Sequence, residues 1–146
     1  MKILIVCQYY YPENFTITQI AEQLVKNGHQ VDVLTGKPNY GYGHILEEYK
    51  NINEQTINGV NVFRVKLKPR GKSRLSIIRN YLSFWSNSKK WVRKCKTEYD
   101  VVYSKRALHR DEYADIPMKD NTDIIIGGFE TQNFINNKII YHVPNS

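Results

Sequence analysis

Two short segments carry the residue types suited to ligand chemistry. The first is Tyr9-Tyr10-Tyr11-Pro12-Glu13-Asn14-Phe15-Thr16, which follows an apolar run and precedes a helical pattern. Glu13, Asn14, Phe15 and Thr16 therefore arrive at a helix N-terminus, where unpaired N–H groups and the helix dipole favour an anion such as phosphate or pyrophosphate. The same residues also suit a structural role, with Thr16 capping the helix and the tyrosines packing. The second segment is Thr35-Gly36-Lys37-Pro38-Asn39-Tyr40-Gly41-Tyr42-Gly43. Lys37 can meet a phosphate there, while Asn39 and Tyr40 can bond to and stack on a sugar ring; the alternative is a glycine-punctuated turn with solvent-exposed tyrosines. No catalytic residue can be named, because no Ser/His/Asp or Cys/His triad assembles. The dinucleotide fingerprint G-x-G-x-x-G is absent. His109-Arg110-Asp111 has the letters of a kinase catalytic loop, but Ile116 stands where the loop needs Asn, and no glycine-rich loop or D-F-G is present. His109, Asp111, Glu112 and Asp115 lack a ligand framework and read as a charged loop, so no metal is expected.

The elements that must position these loops are legible around them. Residues 3 to 7 are a continuous apolar run, the pattern of a strand covered on both faces. Ile17, Ile20, Ala21, Leu24 and Val25 then recur with helical spacing, Thr16 and Gln19 have the spacing of a capping box, and Gly28 ends the segment. Val31 to Thr35 supplies a second strand. Residues 2 to 35 thus read as a βαβ unit, whose two loops leave the same carboxyl edge of a parallel sheet, where ligands of open α/β sheets bind. Gly36 to Asn53 is a long loop with a short helix around Ile45 to Tyr49, and Asn58-Gly59 predicts a two-residue hairpin turn. A helical period over Arg74 to Lys96 aligns Leu75, Ile78, Leu82 and Trp85, with Ile77, Tyr81, Phe84 and Trp91 beside them. Asp100 to Ser104 is a short strand. Lys105 to Asn121 is charged and aperiodic, Asp123 to Ile126 and Lys138 to Val143 are strand-like, and Gly127-Gly128 is a turn. The fold class expected is α/β, a Rossmann-like parallel sheet flanked by helices.

Charge is distributed unevenly. The chain of 146 residues has a formal net charge of +7, and Arg64 to Lys96 holds twelve Lys or Arg with no Asp or Glu. Such a basic, aromatic, amphipathic helix has the composition of a membrane-surface segment, with Arg74, Arg79, Trp85, Lys89, Lys90, Trp91 and Arg93 at an anionic interface. The same stretch also suits a core-packed helix with a solvated basic back. Nucleic acid is not the expected partner, since no zinc spacing, RNA-recognition octamer or helix-turn-helix signature accompanies the charge. Cys7 and Cys95 form no C-x-x-C pair, which fits a reducing cytosol. The opening apolar run is too short for a signal-peptide core or a membrane span.

Four segments in order carry a resemblance: Tyr-Tyr-Pro-Glu-Asn-Phe (10–15), Leu-Val-Lys-Asn-Gly-His (24–29), Val-Asp-Val-Leu-Thr-Gly-Lys-Pro-Asn-Tyr (31–40) and Arg-Leu-Ser-Ile-Ile-Arg-Asn-Tyr-Leu-Ser-Phe (74–84). Together they resemble the N-terminal domain of glycosyltransferase family 4, of the bacterial capsule, O-antigen and exopolysaccharide type, over residues 1 to about 104. The resemblance implies one half of a GT-B fold, the half that binds the acceptor, often a lipid-linked diphosphate sugar at the cytoplasmic membrane face. Residues 105–146 are left as an unassigned tail or a continuation of the same domain. It also implies retaining sugar transfer from a nucleotide sugar without a bound metal or other cofactor. Glu13, Asn14 and Phe15 would then line the interdomain cleft, where many members carry a glycine pair in place of Asn14-Phe15, and Lys37, Asn39 and Tyr40 the acceptor side. The partners expected are a nucleotide-sugar-binding domain or subunit, which this sequence does not contain, a lipid-linked sugar acceptor and the anionic inner face of the cell membrane. Without that donor half the chain is expected to be inactive alone; a non-catalytic membrane-docking or scaffolding module is the alternative.

Overall fold

The computed structural model describes residues 1–104, 118–127 and 139–142. They form one seven-stranded sheet: β1 (Lys2–Val6), β2 (Gln30–Gly36), β3 (Glu54–Ile57), β4 (Val60–Val65), β5 (Tyr99–Ser104), β6 (Met118–Gly127) and β7 (Ile139–His142). Its order is β3-β4-β2-β1-β5-β6-β7, parallel except for the antiparallel pair β3 and β4. Helix α1 (Thr16–Lys26) connects β1 to β2, and α2 (Arg74–Lys94) connects β4 to β5. The expected Rossmann-like α/β class is therefore the observed one. The charged, aperiodic stretch Lys105 to Asn121 runs into β6, which begins at Met118 and pairs in parallel with β5. The rest of that stretch, including His109, Asp111, Glu112 and Asp115, lies outside the described residues, as does Gly128.

The two-residue period of the strands sorts the core into two layers. Ile3, Ile5, Val31, Val33, Val60 and Val62 point to the side covered by Ile17 and Ala21 of α1. Leu4, Val6, Leu34, Val65 and Val102 point to the other, covered by Phe84 and Val92 of α2. Asp32 interrupts this second layer at 5% exposure. Its carboxylate accepts hydrogen bonds from Asn61 Nδ2 at 2.9 Å and Tyr99 Oη at 2.8 Å, tying β2 to neighbouring β4 and, across β1, to β5. Burial pushes the Tyr99 phenol well above its ordinary range, so it stays a donor.

The ends of α1 combine agreement with correction. Lys26 is followed by Asn27 and by Gly28 at φ 85°; Gly28 N–H donates to Val25 O and His29 N–H to Leu24 O, the paired bonds of a Schellman motif. At the start, the capping box of Thr16 and Gln19 does not form. Thr16 is the first helical residue, the N-cap is Phe15 in an extended conformation (φ −124°, ψ 146°), and no side chain caps the end. Placed inside the helix, Thr16 has lost the extended backbone that lets a hydroxyl reach back to the third amide. Ile20, expected on the core stripe, is 42% exposed. The Asn58-Gly59 hairpin is present with both residues at positive φ, 50° and 81°. The short helix in the long loop is a single turn, Glu47–Tyr49.

Helix α2 turns the opposite way from its apolar pattern. Its buried residues are Asn80, Phe84, Ser88 and Val92, whereas Leu75, Ile78 and Leu82 are 56%, 53% and 49% exposed. The apolar line of Leu75, Ile78 and Leu82 thus faces outward, and the core-packed alternative holds only for the line through Phe84 and Val92. The physical reason lies at Asn80, whose amide is consumed by loop backbone and side chains, so this polar position draws the helix face inward (see below).

At the end of β2 the backbone runs against its neighbours. A Cβ built on Gly36 would lie 2.1 Å from Leu67 Cδ2 and 3.0 Å from the carbonyl oxygen of Gln8. Gly36 N–H donates to that same carbonyl at 3.2 Å. Gly36→Ala is expected to destabilise the fold by about 1–3 kcal/mol through overpacking. Leu67→Ala should cost less in that background than in the wild-type chain; additive costs in urea unfolding would contradict the close approach.

Candidate functional site

Three loops and one helix meet at the carboxyl edge of the sheet: the segment after β1, the segment after β2, the segment between β4 and α2, and the first half of α2. Glu13 lies at their centre with 8% exposure. Its Oε1 accepts the N–H groups of Asn39 at 2.7 Å and Tyr40 at 2.6 Å, so one carboxylate from the first loop fixes the turn of the second. Burial raises the Glu13 pKa, and these amide bonds oppose the rise.

Asn39 passes the order on. It is fully buried; its Nδ2 donates to Lys37 O at 2.8 Å, and its Oδ1 accepts from the Arg70 N–H at 2.9 Å and from Asn80 Nδ2 at 3.2 Å. Asn80 also donates to Lys68 O at 2.6 Å and accepts from Gln8 Nε2 at 2.6 Å and Tyr9 Oη at 2.8 Å. This single amide therefore holds α2 to all three loops.

Over this polar framework lies an aromatic layer. Tyr9 and Phe15 stack at 5.7 Å between ring centroids, and Tyr40 meets them edge-on at 5.0 Å and 5.5 Å. The Arg70 guanidinium sits 5.2 Å from the Tyr40 ring centroid, with Nη1 3.4 Å from Tyr9 Oη. Tyr40 is 44% exposed and Phe15 half-buried, so the layer presents ring surface outward.

The residues singled out in the sequence divide accordingly. Glu13, Phe15, Asn39 and Tyr40 come together. Asn14 and Thr16 are exposed at the start of α1. Lys37 is 2% exposed, and its ammonium donates to the carbonyl of Lys50. Burial, with Lys66 and Arg64 nearby, lowers its pKa. Lys37 thus braces the long loop internally, and the expected phosphate contact is not offered from its position. Asn39 likewise has its amide turned inward, which leaves Tyr40 as the ring-bearing surface. Gln8, Tyr9, Arg64, Arg70 and Asn80 were not singled out. The available signal was Asn80 itself, one turn before Phe84 on the inward line of α2.

Arg64 is the buried cation beneath the site, at 3% exposure. It donates to Gln55 Oε1 at 2.8 Å, Gly36 O at 3.3 Å and Tyr11 O at 2.5 Å, and lies 4.8 Å from the Tyr49 ring centroid. Among the described residues no carboxylate pairs with it directly. Burial lowers its pKa, while Tyr49 and Glu13 oppose the fall.

On the outward face of α2, Arg74, Arg79, Lys90 and Arg93 are exposed, and Lys89 is half-buried with its ammonium 5.9 Å from the Trp85 ring centroid. Trp91 departs from that face, packing on Phe63 at 5.0 Å between centroids. Among the described residues no helix is long and apolar enough to cross a membrane, and no three His, Cys, Asp or Glu cluster as metal ligands.

Removing the Glu13 acceptor should be felt across the edge. Glu13→Ala leaves two amides without a partner and is expected to cost about 2–5 kcal/mol; Glu13→Gln keeps an acceptor and should cost less. Because folding raises the Glu13 pKa, the native state holds its proton more tightly than the unfolded chain. Its contribution is therefore largest below the ordinary glutamate pKa and declines as pH rises through the raised value. Urea unfolding of the wild type and Glu13→Gln from pH 4 to pH 7 should show that pH-dependent difference; parallel curves would refute it.

No family model matches the chain. A 47-residue stretch, 32% of the chain, is 51% identical to an uncharacterized glycosyltransferase of Methanocaldococcus jannaschii, of which it spans 9%. Among solved structures the chain is similar to the sucrose-phosphate synthase of Thermosynechococcus elongatus, with a TM-score of 0.54 and 13% identity over 88% of this chain and 33% of that one. In both comparisons the chain covers well under two thirds of the other protein. What the likeness shows is the fold: a Rossmann-like α/β sheet, one half of a GT-B architecture.

Proposed function

We propose that this chain is the acceptor-side domain of a glycosyltransferase, acting in transfer of a sugar from a nucleotide sugar to a lipid-linked glycan acceptor in surface polysaccharide synthesis. The observation that carries this reading is the carboxyl edge of the sheet, where Glu13, Asn39 and Asn80 lock three loops into a fixed frame beneath Phe15, Tyr40 and Tyr9. Rigid rings at the mouth of an α/β edge suit stacking against a pyranose. The identity with a stretch of a glycosyltransferase and the GT-B likeness support the same reading. The nucleotide-sugar-binding half is supplied by a further domain or by a separate subunit. In the assembled cleft an acceptor hydroxyl attacks the anomeric carbon as the bond from that carbon to the nucleoside diphosphate breaks, the hydroxyl proton leaves with the diphosphate, and amides and cations steady the departing group.

The test is transfer of a labelled nucleotide sugar to a lipid-linked acceptor in membranes, with this chain alone and together with the protein encoded immediately downstream. Activity that requires both supports the acceptor-half reading; no transfer in any combination, including a fusion to a donor-binding domain, refutes it. In an active pair, Tyr40→Ala should raise the acceptor KM about tenfold, the loss of one stacking contact of roughly 1.4 kcal/mol, and leave the donor KM unchanged.

A second reading is favoured by a specific observation on α2. Leu75, Ile78 and Leu82 are about half exposed along one line, flanked by Arg74, Arg79 and Arg93. That is the composition of a helix lying at an anionic bilayer surface, on the cytoplasmic face of the cell membrane. It serves either as the membrane dock of the transferase or as the main role of a scaffolding module. Vesicles containing anionic lipid should co-sediment with the chain. Replacing Leu75, Ile78 and Leu82 together by Ser should weaken binding about tenfold or more without unfolding the chain. Equal binding to neutral vesicles, or no effect of the triple substitution, refutes the dock.

A further inference from the structure

We propose that Arg70 is the oxyanion-binding group of this cleft, with its guanidinium fork addressed to a diphosphate; the source of that diphosphate as an acceptor rests on the acceptor-half reading above. Three observations lead there.

First, Lys37 is spent on the carbonyl of Lys50, so this loop cation is not offered to a ligand. Arg64 is similarly enclosed at 3% exposure, with its donors on Gln55, Gly36 and Tyr11. Second, Arg70 is positioned from within the frame. Its backbone N–H is held by Asn39 Oδ1 at 2.9 Å, and Asn39 is held in turn by Glu13. The guanidinium lies against the Tyr40 ring with one nitrogen toward Tyr9 Oη. Third, that single contact leaves most of the five guanidinium N–H groups without a partner among the described residues, on a half-buried side chain beside the exposed ring of Tyr40.

A guanidinium fixed on an aromatic face, with unsatisfied donors in one plane, is preorganised for two phosphoryl oxygens. The aromatic contact limits the rotamer freedom that an exposed arginine would lose on binding. A sugar ring on Tyr40 and a diphosphate on Arg70 would then be neighbours, the arrangement that a sugar diphosphate requires.

The experiment is calorimetric titration of the full 146-residue chain with inorganic pyrophosphate. Arg70→Gln should weaken binding on the order of tenfold or more, Arg70→Lys should recover only part, and Lys26→Gln, the same charge change at the exposed far end of α1, should leave it unchanged. The anchoring bond to Asn39 uses the Arg70 backbone, so the side-chain variants keep it; thermal midpoints close to wild type would verify the fold. Loss in Lys26→Gln equal to that in Arg70→Gln, or no pyrophosphate binding by the wild type, overturns the proposal.

Competition separates the sources. Displacement of pyrophosphate by a short-chain prenyl diphosphate supports both Arg70 and the acceptor-side reading. Displacement by a nucleoside diphosphate alone supports Arg70 while overturning the acceptor assignment. Intact, Arg70-dependent binding alongside failed sugar transfer would remove the transferase reading and leave the oxyanion site standing.

Discussion

The carboxylate of Glu13 and the two amides it accepts hold the carboxyl edge of this sheet together. The constraint is topological as much as energetic. A parallel sheet sends successive loops to the same edge, yet nothing in the strand ladder specifies how those loops sit on one another. A short acidic side chain rising from one loop into the turn of the next supplies that specification. Asn39, once its backbone is fixed, can offer its amide to Arg70 and Asn80, and Asn80 can return contacts to Gln8 and Tyr9. These bonds run from 2.6 to 3.2 Å and are buried or partly buried, and enclosure makes an unmet partner expensive. The frame is therefore cooperative: removing one member strands several others.

Much of the scaffold was legible because periodicity is a local property. The apolar run of β1, the helical spacing of α1 and the Asn58-Gly59 turn each state their structure within a few residues. The failures arose where a polar residue served the interior. Asn80 and Ser88 look like solvent positions on a helix, so the apolar pattern of α2 left open which of its lines packs on the core. Only the loops, distant in sequence, reveal that Asn80 has inward partners. Lys37 misled for the converse reason, since a lysine in a glycine-rich loop reads as exposed although a long apolar stem allows it to be buried beneath its own backbone. Arg70 was indistinguishable from the other eleven basic residues around it until tertiary structure set it on Tyr40.

Helix α2 consequently performs two tasks on opposite sides. Its inward line combines Phe84 and Val92 in the core with Asn80 at the loop frame, coupling packing to the geometry of the edge. Its outward line carries apolar side chains among arginines, with no acidic residue from Arg64 to Lys96 to soften the charge. A bilayer contact on that outward line would lie on the same rigid rod as Asn80, so the orientation of the helix and the setting of the loops are mechanically linked.

The buried position of Arg64 gives the edge an electrostatic property distinct from the rest of the molecule. Charges on the surface of α2 act through water and counterions, and their reach contracts as salt is added. Arg64 acts instead through protein interior, where the medium polarises little and ions do not penetrate. The field at the sheet edge thus has a component that ionic strength scarcely alters, superimposed on one that it readily quenches. A ligand drawn to the molecule by the helix would find its attraction fading in concentrated salt, whereas one already seated at the edge would continue to feel the arginine beneath it.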